Sequence, residues 1–318
     1  MSEGVRIALV GCGAIGELVA RRVYASPPPG ARVVAVVDRV AHRAAEVGAL
    51  LGVPAFTDLA EVPAVDAVDI RLPHDAHAAA VLHALDAGLH VLVEKPLATT
   101  EADGRALVEA AGASDRVVAV AENYPHLATV QAAARAIEAG RIGELVAVRT
   151  TRAYRLDGVW LRDGWRQDGG PAAGILLDQG THHTSLLRHL AGPIAAVTAS
   201  GGADTVGLTL RFASGVIGQS LYTWVTPAFG PEIEATAYGT GGRIDIRVDY
   251  EGTGGSAVLR SGEVLVEGED YYDSHRAIVA DWVGAIREGR TPLVDAASAF
   301  ADLRVVLAAA EEVDRWTL

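Results

Sequence analysis

Val5-Arg6-Ile7-Ala8-Leu9-Val10-Gly11-Cys12-Gly13-Ala14-Ile15-Gly16 is the stretch whose reading decides the fold. A short apolar strand pattern runs straight into a Gly-x-Gly-x-x-Gly turn. Beyond it Ile15, Leu18, Val19 and Val23 share one helical stripe between Ala14 and Tyr24. Between a strand and a helix, such glycines let the backbone turn tightly and approach a pyrophosphate, whose charge meets the helix N-terminus. A second strand over 32–37 ends at Asp38, close to the ~20-residue spacing expected of an acid that binds ribose hydroxyls. Gly11, Gly13, Ala14, Ile15, Gly16 and Asp38 are therefore the expected dinucleotide-binding residues. Asp38 would repel a 2′-phosphate, which favours NAD. Arg39 and Arg43 lie just beyond it and could pair with such a phosphate, which keeps NADP open.

The same rhythm continues outward. Strands are expected over 64–72, 89–93 and 116–121, and helices over 41–51, 76–87 and 101–113, the last capped by Thr99 or Thr100. Strands alternating with helical stretches imply a parallel, doubly wound sheet, in which ligands lie beyond the carboxyl ends of the strands. Leu72-Pro73, His77 and Glu94-Lys95-Pro96 then fall on the cofactor side. After Asn123 the alternation stops. A helix over 128–139, a strand over 144–154, an irregular segment over 155–174 and a helix over 179–190 follow. Strand-like runs from 194 to 266 are separated by turn formers such as Gly201-Gly202 and Ser214-Gly215, the punctuation of an antiparallel sheet. Helices over 274–287 and 296–316 complete the chain. The expected division is a dinucleotide-binding domain over 1–123 and a substrate-binding and oligomerisation domain over 124–318.

Lys95 is the one lysine of 318 residues; the other 26 of the 27 Lys and Arg side chains are arginine. Arginine stays charged, whereas a lysine ammonium can exchange a proton when partly buried, so Lys95 is a candidate for proton-linked chemistry. A net charge of −13 argues against nucleic acid, which requires a basic face. A single cysteine, Cys12, excludes an internal disulfide framework and points to a reducing, cytoplasmic home. No apolar run reaches the ~20 residues that span a bilayer.

The chain resembles the glucose–fructose oxidoreductase, inositol dehydrogenase and rhizopine-catabolism family of NAD(P)-dependent oxidoreductases. The matching pieces are Gly11–Gly16, Val65-Asp66-Ala67-Val68, Pro73 with His77, the run from Ala87 to Glu94-Lys95-Pro96, Glu122-Asn123, Trp165-Arg166, and Leu176-Leu177-Asp178-Gln179-Gly180-Thr181-His182. The resemblance implies an α/β protein: an N-terminal Rossmann domain plus a C-terminal α+β domain with an open, mostly antiparallel sheet. It also implies that Lys95, Asp178 and His182 surround the nicotinamide and a substrate hydroxyl. Leu72, Pro73, His77, Glu94, Pro96, Asn123, Trp165 and Arg166 are expected near the cofactor. By resemblance, the open sheet face makes a homodimer or homotetramer.

Asp178 precedes a predicted helix, where a carboxylate can cap free N–H groups, and His182 follows about one turn later. A neutral histidine is a suitable general base for a hydroxyl, although Asp178 could equally be a helix cap and His182 a core histidine. His183 is a rival base, pointing ~100° away around the helix. Tyr124, Tyr154 and His183 are further candidates for the substrate pocket. A metal site at His74-Asp75-Ala76-His77 or His182-His183 is disfavoured, because adjacent histidines diverge, no HExxH spacing occurs and no second cysteine exists. No Gly-x-Ser-x-Gly elbow supports a serine nucleophile. Asn123-Tyr124-Pro125-His126 stands where the family has Asn-x-Arg-Phe-x-Pro, and Ser185 where an aspartate is frequent.

The expected activity is hydride transfer between nicotinamide and a secondary alcohol or ketone of a sugar, cyclitol or similar polyhydroxylated small molecule. Reduction of an imine or a non-sugar ketone is the nearer alternative. A non-catalytic NAD-binding regulator of the same fold is the more distant one.

Overall fold

The computed structural model describes residues 4–156, 174–202, 204–226, 231–250 and 254–314. They form two compact units. One holds the chain up to Glu122 together with His275–Phe300; the other holds Asn123–Ser274 and the chain from Ala301.

The first unit is built on six parallel strands: β1 (Val5–Val10), β2 (Ala31–Val37), β3 (Ala55–Phe56), β4 (Ala67–Ile70), β5 (His90–Glu94) and β6 (Val118–Ala121). Their order in the sheet is β3-β2-β1-β4-β5-β6. Ile7, Leu9, Val68, Val91 and Leu92 are fully buried, as expected of parallel strands covered on both faces. The short β3 has no counterpart in the sequence reading, since two residues are too few to carry a period. Helices α1 (Ala14–Val19), α2 (Ala41–Leu51), α3 (His77–Asp86) and α4 (Glu101–Ala113) connect the strands. The helix expected over 14–24 is present but changes pitch, continuing from α1 as one π turn over Ala20–Tyr24. Thr100 caps α4, its hydroxyl accepting from the Asp103 N–H at 3.1 Å.

Residues 275–300, expected in the second domain, belong to the first unit instead. Helix α7 (Asp273–Glu288) presents Ile278, Val279, Trp282 and Val283 at helical spacing, all buried in one core with Val19, Val23 and Leu92. The Val120 N–H donates to the Val294 carbonyl at 2.9 Å, which fastens the segment after α7 to β6. An apolar stripe says that a helix needs a partner, not which sheet supplies it.

The second unit carries eight strands in the order β14-β13-β12-β11-β7-β10-β9-β8. They are β7 (Leu145–Ala153), β8 (Ile194–Gly201), β9 (Thr205–Phe212), β10 (Ile217–Thr223), β11 (Ile233–Gly239), β12 (Arg243–Val248), β13 (Gly255–Leu259) and β14 (Val264–Glu269). β7 and β10 pair in parallel, and the other neighbours are antiparallel. Alternation decides which face is covered: β9 buries Val206, Leu208, Leu210 and Phe212 and turns Thr205, Thr209 and Arg211 outward. Helix α5 (Ala128–Glu138) packs over β12, β13 and β14, and α6 (Thr181–Ala191) packs over β7. Leu127, at the start of α5, has no side-chain acceptor. Glu269 from β14 takes its place, accepting from the N–H groups of Ala128 and Thr129 at 2.5 and 3.0 Å. The last helix is α8 (Ala296–Asp314).

Trp282→Ala should lower the unfolding free energy by about 3–5 kcal/mol, the usual range for an aromatic deleted from a closed core. Urea denaturation measures it, and an unchanged midpoint would remove α7 from the first core.

Candidate functional site

In the first unit the candidate residues gather at the carboxyl ends of β1, β2, β4 and β5. Gly11 has φ +98°, and a Cβ there would meet the Arg71 carbonyl; a Cβ on Gly16 would meet the Gly11 carbonyl. The turn therefore exists only with glycine at both positions, leaving its backbone bare of side chains. Gly13 precedes α1, which Ala14 and Ile15 open. Asp38, at the end of β2, accepts from the Cys12 N–H at 2.7 Å and the Val40 N–H at 2.8 Å, so its carboxylate is locked beside the glycine turn. Arg39 is exposed just beyond. A bare glycine cradle next to a fixed carboxylate fits a dinucleotide.

Beneath the next two strand ends lies a buried ionic cluster. Arg71 pairs with Asp69 at 2.6 Å and donates to Glu94 at 2.5 Å, and the Tyr24 hydroxyl donates to Asp69 at 2.6 Å. Burial alone would raise the Glu94 carboxyl. Arg71 first, then Lys95 and His275, outweigh it and hold Glu94 below the usual carboxylate range. The other oxygen of Glu94 accepts from the Lys95 N–H at 3.0 Å, so the backbone at Lys95 is anchored on a carboxylate that Arg71 holds. Lys95 itself is half-buried and joined to Pro96 by a cis peptide bond.

Other residues expected near the cofactor also make contacts within the fold. His77 is fully buried, and its two ring nitrogens lie 2.7 Å from the Pro96 carbonyl and 2.9 Å from the Leu72 carbonyl. The ring braces the loops after β4 and β5; Leu72 is half-buried and Pro73 exposed between them. Asn123 is buried, and its amide donates to the Ser274 hydroxyl at 3.0 Å. Trp165 and Arg166 lie outside the described residues.

In the second unit, Asp178 does not cap a helix. It lies within a π turn, Leu176–Gly180, that runs directly into α6, and it is buried. Its carboxylate accepts from the Gln179 amide at 3.4 Å. A π turn offsets side chains from the ordinary α register and is frequent at functional sites.

The adjacent histidines diverge in environment. His183 is 0% exposed, its Nδ1 lies 2.5 Å from the Thr150 hydroxyl, and its ring packs edge-on against Tyr124 and tilted against Tyr222. His182 keeps 7% exposure and stacks on Tyr124, with centroids 4.6 Å apart and planes within 13°. Of this pair, His182 is the one that keeps any exposure. Tyr124, expected on the pocket wall, is instead fully buried with its hydroxyl donated to Glu232 at 2.9 Å. Tyr154 is half-buried beneath the Arg152 guanidinium, 4.1 Å from its ring centroid. Arg152 and Glu232 have no sequence signal of their own; a strand position at a burial-face register is all that marks Arg152.

The first residues, 5–122, match the family model described as "Oxidoreductase family, NAD-binding Rossmann fold", and residues 130–245 match the GFO/IDH/MocA C-terminal domain. The chain is 30% identical to levoglucosan dehydrogenase of Pseudarthrobacter phenanthrenivorans, over 81% of this chain and 74% of that protein. It is 26% identical to scyllo-inositol 2-dehydrogenase (NAD(+)) of Bacillus subtilis, over 97% of this chain and 94% of that protein. A solved levoglucosan dehydrogenase in complex with NADH and levoglucosan superposes with a TM-score of 0.85 at 24% identity, covering 99% of this chain and 98% of that one.

Burial, reinforced by His182 and Arg152, pushes His183 well below the ordinary histidine pKa of 6.5. The unfolded chain thus binds a proton that the folded chain excludes. Stability should be intact above about pH 6.5 and fall below it, by up to ~1.4 kcal/mol per pH unit from this group. In urea melts, His183→Phe should flatten that acid slope; an unchanged slope would mean that folded His183 accepts the proton.

Proposed function

The chain belongs to the glucose–fructose oxidoreductase, inositol dehydrogenase and rhizopine-catabolism family of NAD(P)-dependent oxidoreductases, and from that membership we propose that it oxidises a secondary alcohol of a sugar or cyclitol, with His182 as general base. The observation that carries the assignment of the base is the contrast between the adjacent histidines, His183 fully sealed against Thr150 and His182 keeping 7% exposure. Its relatives include dehydrogenases of levoglucosan, inositols and D-xylose, which supports a neutral polyhydroxylated substrate.

The cofactor is held by the glycine turn Gly11–Gly16 and by Asp38, whose anchored carboxylate favours the free ribose hydroxyls of NAD over a 2′-phosphate. NAD, when bound, supplies the hydride acceptor. His182 takes the proton of the reacting hydroxyl. Lys95 donates a hydrogen bond to the same oxygen, orients it and stabilises its developing negative charge. Asp178 orients the substrate and tunes His182. In the reverse direction His182 returns the proton to the carbonyl oxygen.

With NAD and a panel of scyllo-inositol, inositol, levoglucosan and D-xylose, at least one compound should yield NADH. His182→Asn should lower kcat by about 10²–10⁴ with NAD binding by calorimetry unchanged. Lys95→Arg should retain under about a tenth of the activity, since a planar guanidinium cannot take the place of a compact ammonium at this oxygen. Near-normal turnover in either variant overturns the corresponding role, and NAD binding without NADH production on any substrate would favour a non-catalytic NAD-binding regulator of the same fold.

Self-association through the sheet of the second unit also belongs to this reading. Ile217 and Leu221, exposed at 54% and 45%, stand on its outward face together with Thr209 and Arg211. A cytoplasmic location fits the single, buried cysteine. Ile217→Glu combined with Leu221→Glu should reduce the mass measured by light scattering to that of one chain; an unchanged mass would exclude this face.

A further inference from the structure

We infer that Tyr124 is a positioning residue for the base His182, anchored from behind by Glu232 and Arg152; this rests on the reading of His182 as base. Tyr124 lies in the stretch Asn123-Tyr124-Pro125-His126, where the chain departs from the family pattern. Its ring covers one face of the His182 imidazole, nearly parallel at 4.6 Å. A face contact restricts rotation of the imidazole, because turning it out of plane drives its edge into the phenol. It occupies neither ring nitrogen, so the ring is aimed without being spent.

The phenol is itself immobile. It is 0% exposed, and its hydroxyl donates to Glu232. Burial first, then the Glu232 charge, keeps this hydroxyl protonated far above its ordinary range, so it always acts as donor. The second carboxylate oxygen of Glu232 pairs with Arg152 Nη2 at 2.5 Å. Arg152 in turn donates from Nη1 to the Pro231 carbonyl at 3.1 Å and lies over the Tyr154 ring. A buried carboxylate is tolerable only when its charge is balanced, and the guanidinium balances it. From Arg152 through Glu232 and Tyr124 to His182, each group is held by the one behind it. His183 also contacts the Tyr124 ring, their planes 78° apart and centroids 5.3 Å apart.

A base misplaced by about 1 Å can lose roughly 10²-fold in rate. In the full-length protein, with NAD and whichever polyol of the panel is turned over fastest, Tyr124→Leu should lower kcat by about 10²-fold while KM for NAD stays constant. Tyr124→Phe keeps the stack and loses the anchor, so its loss should be smaller, about 2–10-fold. Added to His182→Asn, Tyr124→Leu should cost nothing further, because the group it positions is gone. Additive losses, or wild-type kcat in Tyr124→Leu, overturn the proposal. Wild-type kcat in His182→Asn would instead overturn the base assignment beneath it. If Tyr124→Leu does not fold, Glu232→Gln is used, which keeps the stack and weakens the anchor, so a loss of about 2–10-fold in kcat, with KM for NAD unchanged and non-additivity with His182→Asn, is expected. Independently of turnover, the His182 ring-proton resonances should lose their upfield ring-current shift and broaden in Tyr124→Leu. Resonances that stay in place and sharp overturn the proposal.

Discussion

The Arg71 guanidinium is the point to which the ligand-facing end of the first sheet is tied. Parallel strands deliver their loops to one end, and there β4 and β5 each bring an inward-facing carboxylate, Asp69 and Glu94. Two buried carboxylates side by side would repel and lose their hydration. One cation between them, sealed from water, makes the arrangement stable. Tyr24 adds a donor from the π turn that extends the helix after β1, so three segments of the chain meet at one ionic cluster. His77 makes a second tie between the loops, bridging carbonyls rather than charges. The backbone at Lys95 is thus set by the hydrogen bond to Glu94, which Arg71 holds, and by the His77 bridge between the loops.

In the second unit the governing effect is burial. His182 and His183 are neighbours with the same chemistry, yet the helix turns one into a sheet-facing hydrogen bond with Thr150 and leaves the other against an aromatic face. Desolvation favours the neutral form of His183, while His182 keeps 7% exposure. The polar groups behind them follow the same logic. Arg152 and Glu232 are admitted to a mostly apolar interior because each cancels the other's charge, and Arg152 Nη1 also donates to the Pro231 carbonyl.

Family membership and a dinucleotide-binding first unit follow from features that act locally along the chain. The glycine turn demands glycine for steric reasons that any neighbouring backbone would impose, and Asp38 follows at a spacing set by one helix and one strand. Helices α2 and α4 begin and end at the expected residues because Gly52 and Thr100 terminate them through their own backbone and side chain. Two-residue β3 left no pattern, and the π turns at Ala20–Tyr24 and Leu176–Gly180 share the apolar spacing of an ordinary helix, so neither is visible before folding.

The sequence by itself determined the strand–turn–helix of the first unit and the alternating strands of the second, because backbone sterics and hydrophobic period act over a few residues. It did not determine that α7 completes the first core, since an amphipathic stripe carries no address for its partner. Nor did it determine that His183 would be sealed while His182 keeps 7% exposure, or that Tyr124 would be fully buried rather than on a pocket wall. Those outcomes depend on which groups from β7, β10 and β11 arrive beside them. Burial and charge balance are properties of the assembled neighbourhood, and only the tertiary structure brings Thr150, Arg152 and Glu232 to the residues they control.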